Sequence, residues 1–364
     1  MENTKQVTET GGEALALHLL TKLREKGELS PWKLLCLQDK TLQEFYEAVE
    51  SLKQRGLIEL TPEAKRLRLT KEGKDHLAQV AGENPSLFDF KCGKCEGKGY
   101  TVASDEAFLA RYKKLLETRP LPTEQYDQTS ITAEDAVIRV GFFHERGDLL
   151  NKDLLMIGDF DCLSIVAALT GLPRRVLVLD VDDRLIAYIN QVAEETGTSH
   201  ILKAEKFDVR QPLPESYRGS FDVFSCDPVE TLEGIKLYLS RGVSGLRNSL
   251  SSCAYIGLTT LEASRKKWYD IQKLLFDMNL VVTDIRRNFN EYPDTGLEEM
   301  HIIYEKLGCV PDCVWYWAAL LRVECVGVPS PLITGAYDDQ QGPDIYLDDE
   351  AWATPILPSS SSSS

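Results

Sequence analysis

From residue 153 to about residue 325 the chain repeats one pattern: a short apolar run, a turn, then a longer amphipathic stretch. DLLMIG precedes LSIVAALT, RRVLVLD precedes DRLIAYINQVAEE, FDVFSCD precedes ETLEGIKLYLS, and SSCAYIGLT precedes EASRKKWYDIQKLLFDM. SHILKAE and NLVVTDI add further strand-like runs, and MHIIYEKL and VWYWAALLRVECV read as late strands closing the sheet. Near-continuous apolar strands are buried on both faces, and their alternation with helices specifies a parallel sheet covered on each side. The expected fold is α/β, a doubly wound sheet of Rossmann-like type.

In such a sheet, ligands bind outside the carboxyl ends of the strands. Four acidic groups fall there: Asp159 and Asp161 in GDFD, Asp180 and Asp182 in DVDD, Asp208 in FDVRQ, and Asp227 in SCDPVET. Gly158 permits a tight turn close to a ligand. The first loop lacks G-x-G-x-x-G, and its acids would repel a pyrophosphate. Asp180, about twenty residues on, stands where ribose hydroxyls are held, and Asp208 where an adenine amine would be met. Together these describe an adenosine pocket with extra negative charge, suited to a cationic sulfonium nucleoside. Asp159, Asp180 and Asp227 also fit plain helix-capping roles, and Asp208 a turn residue. Cys162 and Cys226 read as core thiols, since no histidine partner follows either one.

Residues 1–90 read as a winged helix. ALALHLLTKLREKG is an amphipathic helix, Ser30-Pro31 a cap with proline at the first helical position, and Thr41-Leu42-Gln43-Glu44 a capping box. LIEL and LRL flank a wing, and TKEG starts a last helix. This unit holds 13 basic and 15 acidic residues, and its candidate recognition helix carries Glu44, Glu47 and Glu50. Acids facing phosphates repel them, so the expected role is packing or dimerisation rather than DNA binding. Residues 91–150 form a linker: the knuckle Cys92-Gly93-Lys94-Cys95, then two helices around the polar Tyr126-Asp127-Gln128. Two thiolates supply half of a tetrahedral zinc site. The nearest second pair, Cys309 and Cys313, does not repeat the spacing, so a metal at Cys92 and Cys95 stays open and none is expected in the catalytic site. The α/β domain then spans 151–335.

The net charge is −16, from 41 Lys and Arg against 57 Asp and Glu. An acidic body opposes a polyanionic substrate and suits a cationic one. The polar start lacks the order of a secretory signal, no run reaches a membrane span, and the cysteines form no disulfide framework, so a cytoplasmic protein is expected. Residues 336–364 are acidic, hold no basic residue and end in serines. They are expected to be a flexible tail, with Tyr337, Tyr346 and Trp352 suggesting that it folds over something cationic.

These residues carry a resemblance. LLMIGDFDCLSIVAALTGLPRRVLVLDVDDRLIAYIN, YDQTSIT, GDLLNKDLLMIGDFD and FDVFSCDPVET, with the winged-helix unit, resemble the branched-chain polyamine synthases, or N4-bis(aminopropyl)spermidine synthases. The resemblance covers nearly the whole chain apart from the serine end. It implies a Rossmann-like, methyltransferase-type domain behind a small winged helix. It also implies transfer of aminopropyl groups from decarboxylated S-adenosylmethionine, a co-substrate rather than a tightly bound cofactor, onto the secondary nitrogen of spermidine. The products would be a tertiary and then a quaternary amine, with methylthioadenosine released. By the same resemblance Asp161 binds the aminopropyl amine, Asp180 and Asp182 the ribose, and Asp208 the adenine. Asp227 and Asp159 are the catalytic acids beside the acceptor, and Tyr126, Gln128, Asp159 and Glu230 contact the acceptor. The family motif usually reads Gly-Asp-Asp-Asp; here Phe160 replaces the middle acid and removes one charge. Val229 replaces the second proline of Asp-Pro-Pro-Glu-Thr. Winged helices and knuckles often pair, which points to a homodimer.

Two other functions fit the same fold. A nucleic-acid methyltransferase using S-adenosylmethionine shares it, but Val229-Glu230 stands where such an enzyme stacks its flipped base on an aromatic. A winged-helix transcription regulator would leave the strand-end acids unexplained. Neither nucleic acid nor membrane is an expected partner.

Overall fold

The computed structural model describes residues 11–62, 64–81, 99–100, 106–123, 126, 128–293, 302–338 and 342–352. The Cys92–Cys95 knuckle, Asp127 and the serine end lie outside the described residues.

The N-terminal unit contains α1 (Gly11–Lys26), α2 (Pro31–Leu35), α3 (Leu42–Gln54), β1 (Ile58–Leu60), β2 (Leu67–Leu69) and α4 (Lys71–Ala81). Ser30 caps α2 by accepting from the Lys33 amide, and Thr41 with Glu44 forms the expected capping box of α3. β1 and β2 pair antiparallel, with Ile58 opposite Leu69. This unit does not close a core of its own. Trp32, Phe45 and Leu52 share one apolar cluster with Leu261, Ile303, Trp315 and Trp317 of the α/β domain. The Leu42 amide, at the start of α3, donates to the Leu261 carbonyl at 2.7 Å.

Next come α5 (Glu106–Leu116) and α6 (Ala133–Glu145). The α/β domain follows as β3 (Asp153–Ile157), α7 (Leu163–Leu169), β4 (Arg175–Asp180), α8 (Asp183–Thr196), β5 (Leu202–Lys206) and β6 (Val223–Cys226). It is completed by α9 (Leu232–Gly245), β7 (Cys253–Leu258), α10 (Arg265–Asp277), β8 (Leu280–Tyr292), α11 (Ile302–Leu307) and β9 (Tyr316–Cys325). Among the described residues the large sheet runs β5-β4-β3-β6-β7-β9-β8. β3 to β7 pair in parallel, while β9 inserts antiparallel between β7 and β8. β3, β6 and β7 are buried along their full length, as strands covered on both faces must be.

The order reverses at β3, whose neighbours are β4 and β6. That switch point opens a crevice at the carboxyl ends of the strands. The β8–β9 hairpin lends it a second wall, since Tyr292 and Tyr316 face each other in register.

Two expectations need correction. MHIIYEKL is not a strand: residues 302–307 form the short helix α11, which packs its apolar side into the shared cluster, where Ile303 is fully buried. Nor does the acidic segment hang free. Of residues 336–352, the described part is fastened across the crevice: Ile345 is buried, and its carbonyl accepts from Thr231 Oγ1 at 2.7 Å. Asp348 pairs with the buried Lys267 at 2.7 Å, and Glu350 accepts from the amide and hydroxyl of Ser264 at 2.6 and 2.7 Å. Asp348 and Glu350 therefore anchor the segment to α10.

Candidate active site

A cavity of about 460 Å³ sits over the carboxyl ends of β3, β4, β6 and β7. Loop turns place its acids. Gly158 ends β3 with φ +70°, a backbone that favours glycine, and turns Asp159 and Asp161 toward the cavity. Asp180 closes β4, Asp208 follows β5, and Asp227 and Glu230 follow β6. Gly257 on β7 clears space for one of them: a Cβ there would fall onto Asp227 Oδ1.

The deepest feature is a charge cluster that strand-end reasoning missed. Arg139, on α6, is fully buried and grips Asp227 through both terminal nitrogens, at 2.7 and 2.5 Å. Asp227 also accepts from the Gly257 amide at 3.1 Å and the Tyr292 hydroxyl at 3.5 Å. Burial alone would push the Asp227 carboxyl up, but the Arg139 guanidinium outweighs it and holds the group below the usual carboxylate range. Asp161 goes the other way. Burial, and then the Asp227 charge beside it, push it well above that range, against the pull of Arg139 at 3.9 Å. The two neighbouring carboxyls therefore share one buried counter-ion and titrate as a pair, with Asp227 the more acidic member.

At the far end lies a second acidic pair. Glu230 accepts from the Thr259 amide at 2.8 Å, while its other oxygen is buried with no hydrogen-bond partner among the described residues. Burial, then the Glu262 charge, push Glu230 well up. Glu262 lines the same wall and accepts from the Tyr316 hydroxyl at 3.2 Å. Trp315, Tyr316, Ile345 and Tyr346 add an apolar and aromatic lining.

The remaining expected residues divide. Asp180 lines the cavity and receives the amides of Asp159 and Asp182 at 3.3 and 2.9 Å; burial raises its pKa. Asp208 lines it too, in an ion pair with Arg210 that lowers its pKa. Tyr126 and Gln128 lie on the rim. Asp159, expected as a catalytic acid, spends its two oxygens on the Leu163 and Ser164 amides at the start of α7, at 2.9 and 3.1 Å. Burial pushes it up to about 7 against those bonds. Those bonds hold the loop, and Asp159 lines the cavity. Asp182, expected on the ribose, does not line the cavity. It caps α8 through the Arg184 amide and binds the Arg184 and Gln128 side chains. Phe160 takes the position of the missing acid and stacks under Arg119, with 5.0 Å from the guanidinium carbon to the ring centre. Cys162 and Cys226 are buried thiols whose pKa burial raises, as core packing requires.

Arg139 left one trace in the sequence: a charged residue amid Ala136, Val140 and Phe143 on the apolar stripe of its helix. Glu262, Tyr292 and Tyr316 left none, since loops and a hairpin distant in sequence bring them in.

Among the described residues no group of three or more metal-ligating side chains could hold an ion. None of their helices is long and apolar enough to cross a membrane.

Comparisons with known proteins identify the chain's family. The family described as "Branched-chain polyamine synthase A C-terminal domain" matches residues 107–353. An N(4)-bis(aminopropyl)spermidine synthase of Methanocaldococcus jannaschii is 36% identical over 299 residues, 80% of this chain and 83% of that one. One from Thermococcus kodakarensis is 34% identical, covering 89% and 93%. The crystal structure of the branched-chain polyamine synthase from Thermus thermophilus superposes with a TM-score of 0.80 at 30% identity, covering 93% of this chain and 92% of that one. It was determined in complex with N4-aminopropylspermidine and 5'-methylthioadenosine. The family model matches more than half of the chain and the relatives cover most of it, so this chain belongs to the branched-chain polyamine synthase family.

Proposed function

We propose that this protein is an aminopropyltransferase. It moves aminopropyl groups from decarboxylated S-adenosylmethionine to the secondary nitrogen of spermidine, giving N4-aminopropylspermidine and then N4-bis(aminopropyl)spermidine, with methylthioadenosine released. The observation that carries this reading is Asp227, gripped by the buried Arg139 in an acid-lined crevice of a chain of this family. The Thermus thermophilus relative, crystallised with a branched amine and methylthioadenosine, supports the substrate assignment.

Asp180 takes the ribose hydroxyls and Asp208 the adenine amine. Asp161 receives the ammonium of the aminopropyl group, yielding its proton as that charge enters. The sulfonium makes the adjacent methylene electrophilic. The unprotonated acceptor nitrogen attacks it in line, the C–S bond breaks, and methylthioadenosine leaves with the electron pair. In the first transfer the nitrogen then loses its N–H proton to Asp227, directly or through water. The second transfer ends in a quaternary ammonium with no N–H to lose, so the surrounding carboxylates balance a charge that stays. Glu230 and Glu262 hold a flanking ammonium of the acceptor, and Tyr126, Gln128 and Tyr316 border its methylene stretches. Asp159 and Arg139 act as positioning residues: one fixes the loop, the other aims Asp227. The reading extends to a cytoplasmic homodimer that binds no nucleic acid, which light scattering and a DNA shift assay check.

The donor half is tested by calorimetric titration with decarboxylated and ordinary S-adenosylmethionine. A carboxylate beside Asp161 and Asp227 is repelled, so the decarboxylated form should bind more tightly. Equal or tighter binding of the ordinary form would contradict the assignment.

A further inference from the structure

Of the cysteines among the described residues, Cys162, Cys226, Cys253 and Cys325 are buried, while Cys36, Cys309 and Cys313 are half-buried. Those three meet at one joint. Cys36 ends α2, Cys313 lies in the segment before β9, and their sulfurs are 3.8 Å apart although 277 residues separate them in sequence. The Cys36 thiol also approaches the Val314 carbonyl at 3.5 Å. The joint is tightly made. Trp32 packs on Trp315 with ring centres 4.8 Å apart and donates to the Cys309 carbonyl at 3.0 Å, and Asp312 pairs with Ser30 and Lys33. The next two residues past Val314, Trp315 and Tyr316, line the active-site cavity. The aminopropyl chemistry uses none of these thiols.

We propose that Cys36 and Cys313 are a reversible dithiol, closed to an intramolecular disulfide by exchange with a low-molecular-weight disulfide, that fastens the N-terminal unit to the wall of the active-site cavity. The Cys313 thiolate attacks one sulfur of the small disulfide, forming a mixed disulfide and releasing one small thiol. The Cys36 thiol then loses its proton and attacks Cys313 Sγ, making the Cys36–Cys313 bond and expelling the second small thiol. Two protein thiols are oxidised and one small disulfide is reduced to two thiols, so atoms and electrons balance. Cys313 is the better first nucleophile. The sulfur–sulfur contact lowers the Cys313 pKa and raises that of Cys36. Both thiols pack against the shared apolar cluster, so few other groups need to move for the bond to close.

The test treats the full-length protein with oxidised glutathione, alkylates the remaining thiols and maps peptides without reduction. The expected product joins the Cys36 and Cys313 peptides, and dithiothreitol separates them. The linked protein should melt roughly 5 °C higher than the reduced one, since the bond closes a long loop of the unfolded chain. Cys36→Ser should lose both the link and the rise, and should carry glutathione on Cys313. Alkylation of both thiols after treatment, a Cys309–Cys313 link instead, or a linked protein with unchanged melting would each overturn the proposal.

Discussion

Arg139 has no freedom to be anything but a counter-ion. It is fully buried, and both its terminal nitrogens are on Asp227. Removing one partner of such a pair strands the other charge, at a cost of about 3–5 kcal/mol. Asp227→Asn should therefore lower the melting temperature as well as kcat, the latter by roughly a hundredfold or more, with donor affinity little changed. Adding Arg139→Gln should recover part of the stability and none of the turnover. Single-variant turnover near wild type would leave Asp227 a structural ion. Asp161 yields a pH prediction. Burial and the Asp227 charge raise its pKa, so at lower pH it is neutral and attracts no ammonium. Donor affinity should increase as pH rises and Asp161 ionises, and Asp161→Asn should flatten that profile. A profile unchanged by Asp161→Asn would remove the assignment. At this scale the acids were legible, because a strand end fixes where its next residue lies. Which partners each acid takes was not. Asp159 receives helix amides, Asp182 an arginine and a glutamine, and Asp227 the buried Arg139, and those contacts are not written in the local sequence.

Lys267, at the start of α10, ties two elements together. It is almost fully buried and donates to the Glu230 and Glu262 carbonyls at 3.2 and 2.8 Å, while Asp348 reaches it from the C-terminal segment. Truncation after Gly335 would strand that ammonium and strip Ile345 and Tyr346 from the cavity wall. The truncated protein should melt lower and show a raised acceptor KM, with donor affinity less affected; unchanged steady-state constants would separate the segment from acceptor binding. Gly234 records the same closeness, since a Cβ there would meet the Ile345 carbonyl at 2.7 Å. The segment was misread as a free tail because its acids look like solvation. Their partners, Lys267 and Ser264, lie more than eighty residues away. MHIIYEKL was misread for a related reason: a short apolar run carries no length signal to separate strand from helix. The capping box of α3 and the βα alternation were legible because both are local patterns.

The whole molecule is held by a core that crosses its domain boundary. Trp32 is fully buried against Trp315, and Trp32→Ala should cost about 3–5 kcal/mol, visible as a lower melting temperature with the two units still unfolding together. Separate transitions would mean that the shared cluster does not couple them. The N-terminal helices and the β1–β2 pair were legible as elements, yet their attachment through α3 to the Leu261 carbonyl was not. The acidity of the chain pointed to a cationic substrate, and the crevice gathers acids in two pairs, Asp161 with Asp227 and Glu230 with Glu262. The most direct measurement is one incubation of the purified protein with decarboxylated S-adenosylmethionine and spermidine, read by mass spectrometry. The account predicts methylthioadenosine together with spermidine carrying one and then two added aminopropyl groups on its secondary nitrogen. Spermidine recovered unchanged, or extended only at a terminal amine, would contradict it.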